Sequence, residues 1–434
     1  MILTELPEEL LIRIFDACMK LGCRPNAGGL DVACKFLRRV FLESITSLSW
    51  PEAQSTECER VHLAFAARCK NITSIEIKSK NKIDNISVLT TLLKLERLTI
   101  LRNHVNLNFP PNEETARLED ISPLSSMTCL RELLIDTSTL DISPLSTLTN
   151  IRNLEIIGTH LMTDISPLSR LTGLQVLSAS GLGVVDISPL TTLTDIRMLT
   201  MMGLYNVADI SPLSTLTGLQ TLTMMAVYVL DISPVSTLTG LQTLTMMGLY
   251  EVDDISPLST LTGLQTLTMI GLYEVVNVST LSALTGLQKL NMSRCSEMED
   301  VSPLSVLIGL QKLDMSRCSR VADISPLSTL TGLQELDMSR CSRVAEISPL
   351  STLTGLQKLN MSRCYEIEDV SPLSALTGLR RLHLRQSNIR CETLLALTGH
   401  PNLDTSFTML FVHDSFDDDD SYYTLSFEDD DFDE

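Results

Sequence analysis

The tetrapeptide Ile/Val-Ser-x-Leu/Val starts at Ile86, Ile121, Ile142, Ile165, Ile187, Ile210, Ile232, Ile255, Val278, Val301, Ile324, Ile347 and Val370. From Ile255 onward every step is 23 residues, and between Ile142 and Ile255 the steps are 22 or 23. A period in the low twenties points to a solenoid, in which each copy is one turn of a coil and touches only its neighbours. One interval breaks the rhythm. Ile86 and Ile121 are 35 residues apart, and the gap holds the irregular stretch NHVNLNFPPNEETARLED. At 434 residues the chain is long for one compact core, which again favours several domains or one elongated array.

In the copy that starts at Ile255, apolar residues fall at Leu258, Leu261, Leu264, Leu267, Met269 and Leu272. The alternation at 267 and 269 reads as a strand with both side chains turned inward. Ser256 reads as the cap of a short helical turn, Pro257 as its first position and Gly263 as its end. This spacing resembles the leucine-rich repeat, and the resemblance covers roughly Ile72 to Leu403. It implies an α/β solenoid: a leucine-rich-repeat horseshoe with a parallel concave sheet, over about residues 49–413. SITSLSW and NITSIEI read as degenerate first repeats, and CETLLALTGHPNLDTSFTML, from about residue 390, as a terminal cap of helix and strand. The I-S-P-L wording also resembles bacterial internalin-type repeats and the small repeat subunits that regulate phosphatases.

If 267 and 269 point in, then 266, 268 and 270 point out, and the same columns can be read along the array. The middle copies present Met198/Thr200/Met202, Thr221/Thr223/Met225, Thr243/Thr245/Met247 and Thr266/Thr268/Ile270. The later copies present Lys289/Asn291/Ser293, Lys312/Asp314/Ser316, Glu335/Asp337/Ser339, Lys358/Asn360/Ser362 and Arg381/His383/Arg385. The expected concave face therefore has an apolar Thr/Met half and a charged half. Exposed methionines form an adaptable contact surface for a protein partner; the other reading is a by-product of duplication with no ligand. Cys295, Cys318, Cys341 and Cys364 form a further column in copies reading MSRC. Here a small polar group turns inward to bond neighbouring backbone. A line of thiols is not the tetrahedral cluster structural zinc needs, so neither metal nor cofactor is expected. Arg294, Arg317, Arg340 and Arg363 make a column at the strand ends, near Asp300, Asp323, Glu346 and Asp369. It reads either as a solvated edge or as a dock for an acidic partner, the chain's own tail included.

The N-terminal stretch is different. Leu6-Pro7-x-Glu9-Leu10-x-x-x-Ile14-Phe15 opens an amphipathic helix. The loop GCRPNAGG separates it from a second helical run with apolar residues at 30, 32, 36, 37 and 40. Residues 1–48 thus form a small helical domain that resembles the F-box, the adaptor-binding module of Skp–cullin–F-box ubiquitin ligases. ACKFLRR is similar to that family's V-C-K-x-W-R segment, with Leu37 in place of Trp. The resemblance implies that Leu6, Pro7, Glu9, Leu10, Ile14 and Phe15 contact a Skp-type adaptor and, through it, a cullin. The chain would then be a substrate receptor that holds its target on the concave face. The alternative is a repeat scaffold, regulator or pathogen effector in which these helices only cap the open end of the coil.

Charge and motifs set the exclusions. The formal charge is −20, which argues against nucleic acid, because phosphate binding needs clustered Lys and Arg. Eleven acids and no Lys or Arg fall in residues 414–434, which read as a disordered acidic tail. MILTELPEEL lacks the features of a signal peptide, and no stretch offers eighteen apolar residues in a row, so no membrane span is expected. Eleven cysteines without an export signal imply a reducing cytoplasmic or nuclear setting. No Gly-rich phosphate loop, H-E-x-x-H or G-x-S-x-G occurs, and the six histidines are scattered, so no catalytic residue is assigned.

Overall fold

The computed structural model of the chain describes residue 42 and residues 45–53, 63–79, 83, 85–102, 118–249 and 251–397. The six adaptor-contact candidates, Leu6 to Phe15, and the acidic segment 414–434 lie outside the described residues. The chain divides into two compact units, Met1–Ile156 and Ile157–Glu434.

The first unit carries β1 (Ser47–Ala53), β2 (Ser74–Ser79), β3 (Arg97–Arg102), β4 (Glu132–Asp136) and β5 (Asn153–Ile157). SITSLSW and NITSIEI supply β1 and β2, as the degenerate repeats predicted. The pairs β1–β2, β2–β3 and β3–β4 are parallel, with Ile77 opposite Ile100 and Leu98 opposite Leu133.

The second unit carries β6 (Val176–Ser180), β7 (Met198–Met202), β8 (Thr221–Met225), β9 (Thr243–Met247) and β10 (Thr266–Ile270). After these come β11 (Lys289–Asn291), β12 (Lys312–Asp314), β13 (Glu335–Asp337), β14 (Lys358–Asn360) and β15 (Arg381–His383). All ten run parallel in chain order. Thr243, Thr266, Lys289, Lys312, Glu335, Lys358 and Arg381 are successive register partners, so a column in the sequence is a row in space. The 22-residue steps do not shift this register, since Val176 faces Met198 and Thr221 faces Thr243. A slip of one residue would turn every inward side chain outward, so hydrophobic burial pins the strands and the loops absorb the difference.

Parallel neighbours need a crossover. Here a five-residue 3₁₀ turn supplies it, Ser256–Thr260 in the Ile255 copy. Ile255, Leu258, Leu261, Leu264, Leu267, Met269 and Leu272 are each 1% exposed or less. Full burial of such a side chain is worth about 1.5–3 kcal/mol, but only once the neighbouring turn covers it. The array is therefore a leucine-rich-repeat solenoid, as the period predicted. Thr260 Oγ1 donates to the Ser236 carbonyl at 2.7 Å, which ties one turn to the preceding one.

Two local expectations are corrected. Ser256 does not cap its turn. Its N–H donates to Asp254 Oδ1 at 2.8 Å and its hydroxyl to Asp254 Oδ2 at 2.9 Å, so the acid two residues ahead satisfies the free amide. Asn277 does the same for Ser279 at 2.8 Å, and Glu346 for Ser348 at 2.9 Å. Gly263 does not end the turn through a left-handed φ, for Leu261 already closes it. A Cβ there would meet the Leu241 and Thr239 carbonyl oxygens at an ordinary 3.8 Å; only at the equivalent Gly378 is the approach close, with the Thr354 carbonyl oxygen of the preceding turn at 2.9 Å. Beyond β15 the expected cap begins with one turn of α-helix, Cys391–Leu394, and its predicted strand lies outside the described residues.

The capping acids make stability depend on pH. Accepting from the serine amide and hydroxyl holds the Asp164, Asp209, Asp254, Asp323 and Asp369 carboxyls below the ordinary carboxylate range. A depressed folded-state pKa contributes stability above the unfolded value, lost as pH falls through the folded one. Thermal melts between pH 7 and pH 3 should therefore show a falling acid limb. Asp209→Asn, Asp254→Asn and Asp323→Asn together keep the acceptor oxygen, as Asn277 does, and should flatten that limb.

Candidate functional site

The outward rows of the second unit separate by chemistry. Around β12–β14 the first row is Lys312, Glu335 and Lys358. Glu335 sits between the two lysines, with Lys312 Nζ at 2.9 Å and Lys358 Nζ at 3.4 Å. Burial pushes the Glu335 carboxyl up, but the two ammonium groups outweigh it and leave it below its ordinary range.

The second row is Asn291, Asp314, Asp337, Asn360 and His383, all in register. Asn291 Nδ2 donates to Asp314 Oδ2 at 3.0 Å, and Asn360 Nδ2 donates to Asp337 Oδ2 at 2.8 Å. The other oxygens turn back on their own chain: Ser316 N–H donates to Asp314 Oδ1 at 2.9 Å, and Ser339 N–H to Asp337 Oδ1 at 2.8 Å. This side-chain turn claims the amide that a longer strand would use. It is why β11–β14 stop after three residues where β6–β10 run for five. Burial raises the Asp314 carboxyl, and the adjacent Asp337 adds to the rise against the pull of Ser316 and Asn291. Lys312, Asp314, Glu335, Asp337, Lys358, Arg381 and His383, all expected to face a partner, line one trough of about 310 Å³ together with Lys289, Asn291 and Asn360. Arg385 is exposed just past β15 and outside that lining.

The apolar half departs from expectation at one residue, Met225. Thr221, Thr223, Thr243 and Thr245 face outward and are partly covered, as are Met202, Met247 and Ile270. Met225, expected to be exposed, is buried at 7%. It lies in register between Met202 and Met247, where two long flexible side chains flank it. Met225 is thus closed off, while Met202, Met247 and Ile270 beside it remain partly open.

The thiol column behaves as expected. Cys295, Cys318, Cys341 and Cys364 are buried, and each Sγ donates to the carbonyl of a methionine in the preceding turn at 3.1–3.2 Å. Ser387 takes over the job in the last repeat at 3.0 Å. Burial pushes Cys295 and Cys364 up to about 11 and raises Cys318 and Cys341 as well. No group of His, Cys, Asp and Glu able to hold a metal occurs among the described residues.

Sequence reasoning missed the backbone under the arginine column. Arg294, Arg317, Arg340 and Arg363 have φ of 62°, 62°, 59° and 61°. The same column holds Gly203, Gly248 and Gly271 at φ 62°, 62° and 68°. The conformation aims each amide at the next strand. Arg317 N–H donates to the Ser339 carbonyl at 2.7 Å, as Gly203 N–H does to Met225 at 2.8 Å. A non-glycine residue held there stores about 1–2 kcal/mol of strain. Burial and the guanidinium groups of Arg340, Arg294 and Arg363 all pull the Arg317 pKa down. The acids near this column in sequence, Asp300, Asp323, Glu346 and Asp369, each accept the N–H of the serine two residues on. Two positions after Gly203, Ala226 (φ 52°) and Gly271, Tyr205, Tyr228 and Tyr273 are exposed, with the first two rings 5.9 Å apart. The recurring G-L-Y at 203–205 and 271–273 signalled both features in those copies.

A scan against protein-family models gives no match, and neither does a search of curated proteins. Among solved structures the chain is similar to an internalin (inlF) from Listeria monocytogenes, with 26% identity and a TM-score of 0.57 over 81% of this chain and 94% of that one. It is similar to a leucine-rich-repeat protein of Leptospira interrogans, with 15% identity and a TM-score of 0.56 over 82% and 100% of the two chains. It is also similar to the functional domain of InlJ from Listeria monocytogenes, which includes a cysteine ladder, with 18% identity and a TM-score of 0.53 over 74% and 65%.

Two outcomes follow from these columns. Arg317→Gly removes the φ strain and gives back some unfolded-state entropy, so stability should rise by about 0.5–1 kcal/mol in urea titrations. Alkylation of the native chain at pH 8, read by peptide mass spectrometry, should label the exposed Cys129 and Cys391 and spare Cys295, Cys318, Cys341 and Cys364 until urea unfolds the array.

Proposed function

We propose that the chain is a non-catalytic scaffold that binds a protein along the charged strand face of its second unit. The observation that carries this reading is the Lys312–Glu335–Lys358 row set against the amide-bracketed Asp314 and Asp337, together lining one trough. Alternating fixed charges on parallel strands select a segment with the complementary pattern and reject others. Among the described residues no helix is long and apolar enough to cross a membrane. In this reading the partner is neither nucleic acid nor membrane.

The finer reading is a substrate receptor of a Skp–cullin–F-box ubiquitin ligase in the cytoplasm or nucleus. It rests on the sequence of residues 3–48. Leu6, Pro7, Glu9, Leu10, Ile14 and Phe15 would hold the adaptor, and the strand face would hold the protein to be ubiquitinated. The competing reading keeps the scaffold and makes those helices a cap.

The two are separated by pull-down from eukaryotic lysate, with the intact chain and a Leu6→Ala, Pro7→Ala, Ile14→Ala, Phe15→Ala variant, each shown to be folded by circular dichroism. Adaptor and cullin retained by the intact chain and lost with the variant is the expected result. Retention by neither leaves the scaffold with a capped end. A Lys312→Glu, Lys358→Glu variant should weaken the face-bound protein by at least about tenfold, since each reversed charge meets a like one. Unchanged retention of every protein would place the binding surface elsewhere.

A further inference from the structure

The loop edge beyond the C-terminal ends of β6–β10 carries side chains that the coil does not use. Val185, Tyr205, Tyr228, Leu230 and Val276 follow β6, β7, β8 and β10, and each is between 51% and 67% exposed. The Tyr205 and Tyr228 rings stand 5.9 Å apart, so neighbouring repeats present one aromatic surface there. A single exposed apolar residue is ordinary, but a row of them along one edge is not. The fold does not require them. Ser296, Ser319 and Ser342 fill the Tyr273 position in the next three repeats, and Glu299, Ala322 and Ala345 fill the Val276 position. Those repeats stack in the same register.

Charge decides what covers the row. Val185, Ala208 and Leu230 are each followed by an exposed acid, Asp186, Asp209 and Asp231. After β9 the same edge carries Glu251 and Asp253, and after β10 Glu274, all exposed. Between residues 181 and 277 the sequence has one basic residue, Arg197, and it precedes β7, at the other end of the strands. Over these repeats the edge is thus apolar and aromatic with an acidic border. A second copy laid edge to edge would set acid against acid, and an anionic lipid surface or a nucleic acid is repelled in the same way. A segment whose apolar side chains are flanked by Lys and Arg meets both features. Its apolar groups cover the Val, Leu and Tyr side chains, and its cations reach the acids and the tyrosine ring faces. We propose that this edge docks a basic amphipathic segment of a partner protein. The five repeats span about 19 Å, the length of a helix of about 13 residues. The surface is separate from the trough, whose lining comes from the strand face of β10–β15.

The test is a titration of the full chain with a fluorescein-labelled peptide of about 14 residues, Leu and Lys at helical spacing, read by anisotropy at about 150 mM salt. The comparison variant is Tyr205→Ser, Tyr228→Ser, Leu230→Ala, chosen because later repeats carry Ser and Ala at the matching positions. It keeps every acid, so the overall charge of the two chains is the same. The intact chain should bind the peptide at least about tenfold more tightly than the variant. A peptide with each Leu replaced by Ala should bind the two chains alike. Equal affinity of both chains for the Leu/Lys peptide, or no binding to the intact chain, would overturn the proposal. If the variant does not fold, Glu251→Gln, Asp253→Asn, Glu274→Gln decides: affinity lower by at least about threefold supports docking and unchanged affinity overturns it. Self-association of the intact chain in sedimentation velocity, lost in the first variant, would assign the row to a second copy and overturn the proposal. Every variant leaves the strand face and residues 1–48 unchanged, so the outcome is independent of the scaffold reading.

Discussion

A single turn of this coil has no interior. Its seven apolar side chains, from Ile255 to Leu272 in one copy, are out of water only because the turns before and after lie against them. Burial between neighbours is thus the term on which everything else depends. It fixes the register of the strands, and the register lays out every surface row. Asn291 meets Asp314 because Leu290 and Leu313 must stack beneath them, and Lys312 meets Glu335 because Leu313 and Leu336 must do the same.

On that common frame the second unit carries two surfaces. From β7 through β10 the strands run five residues and their outward positions are Thr and Met, with Ile270 the last. From β11 an Asn or Asp at the third position captures its own downstream amide and stops the strand. That change ends the methionine row and lays down a belt of amide and carboxylate groups. The left-handed position beyond the strand changes occupant at the same point, from Gly271 to Arg294. These changes of chemistry coincide at one repeat boundary, between β10 and β11.

Much of this was legible in the sequence. The period, the inward leucines, the outward columns and the buried thiols all follow from local rules: side chains alternate on a strand, and copies in register stack. The misreadings have local causes too. Ser256 and Asp254 are both good capping residues, and only the hydrogen bonds show that the acid does the capping. Met225 was read as exposed because alternation says which side a residue faces and nothing about how its neighbours cover it. The φ of the arginines was in principle readable, since Gly248 and Gly271 occupy their column and a glycine recurring at one register position signals a left-handed backbone. Arginine hides that signal, having no such preference of its own.

The constant step has a consequence for how the chain can change length. Between Ile255 and Val370 the register partners are always 23 residues apart, so excising one whole period joins two edges that already match. A loss of any other length must be taken up by a loop or would rotate the leucines out of the interior. The array is thus quantised. It can be shortened or extended by entire turns with the fold intact, and a turn added or removed after β11 lengthens or shortens the charged half by one strand.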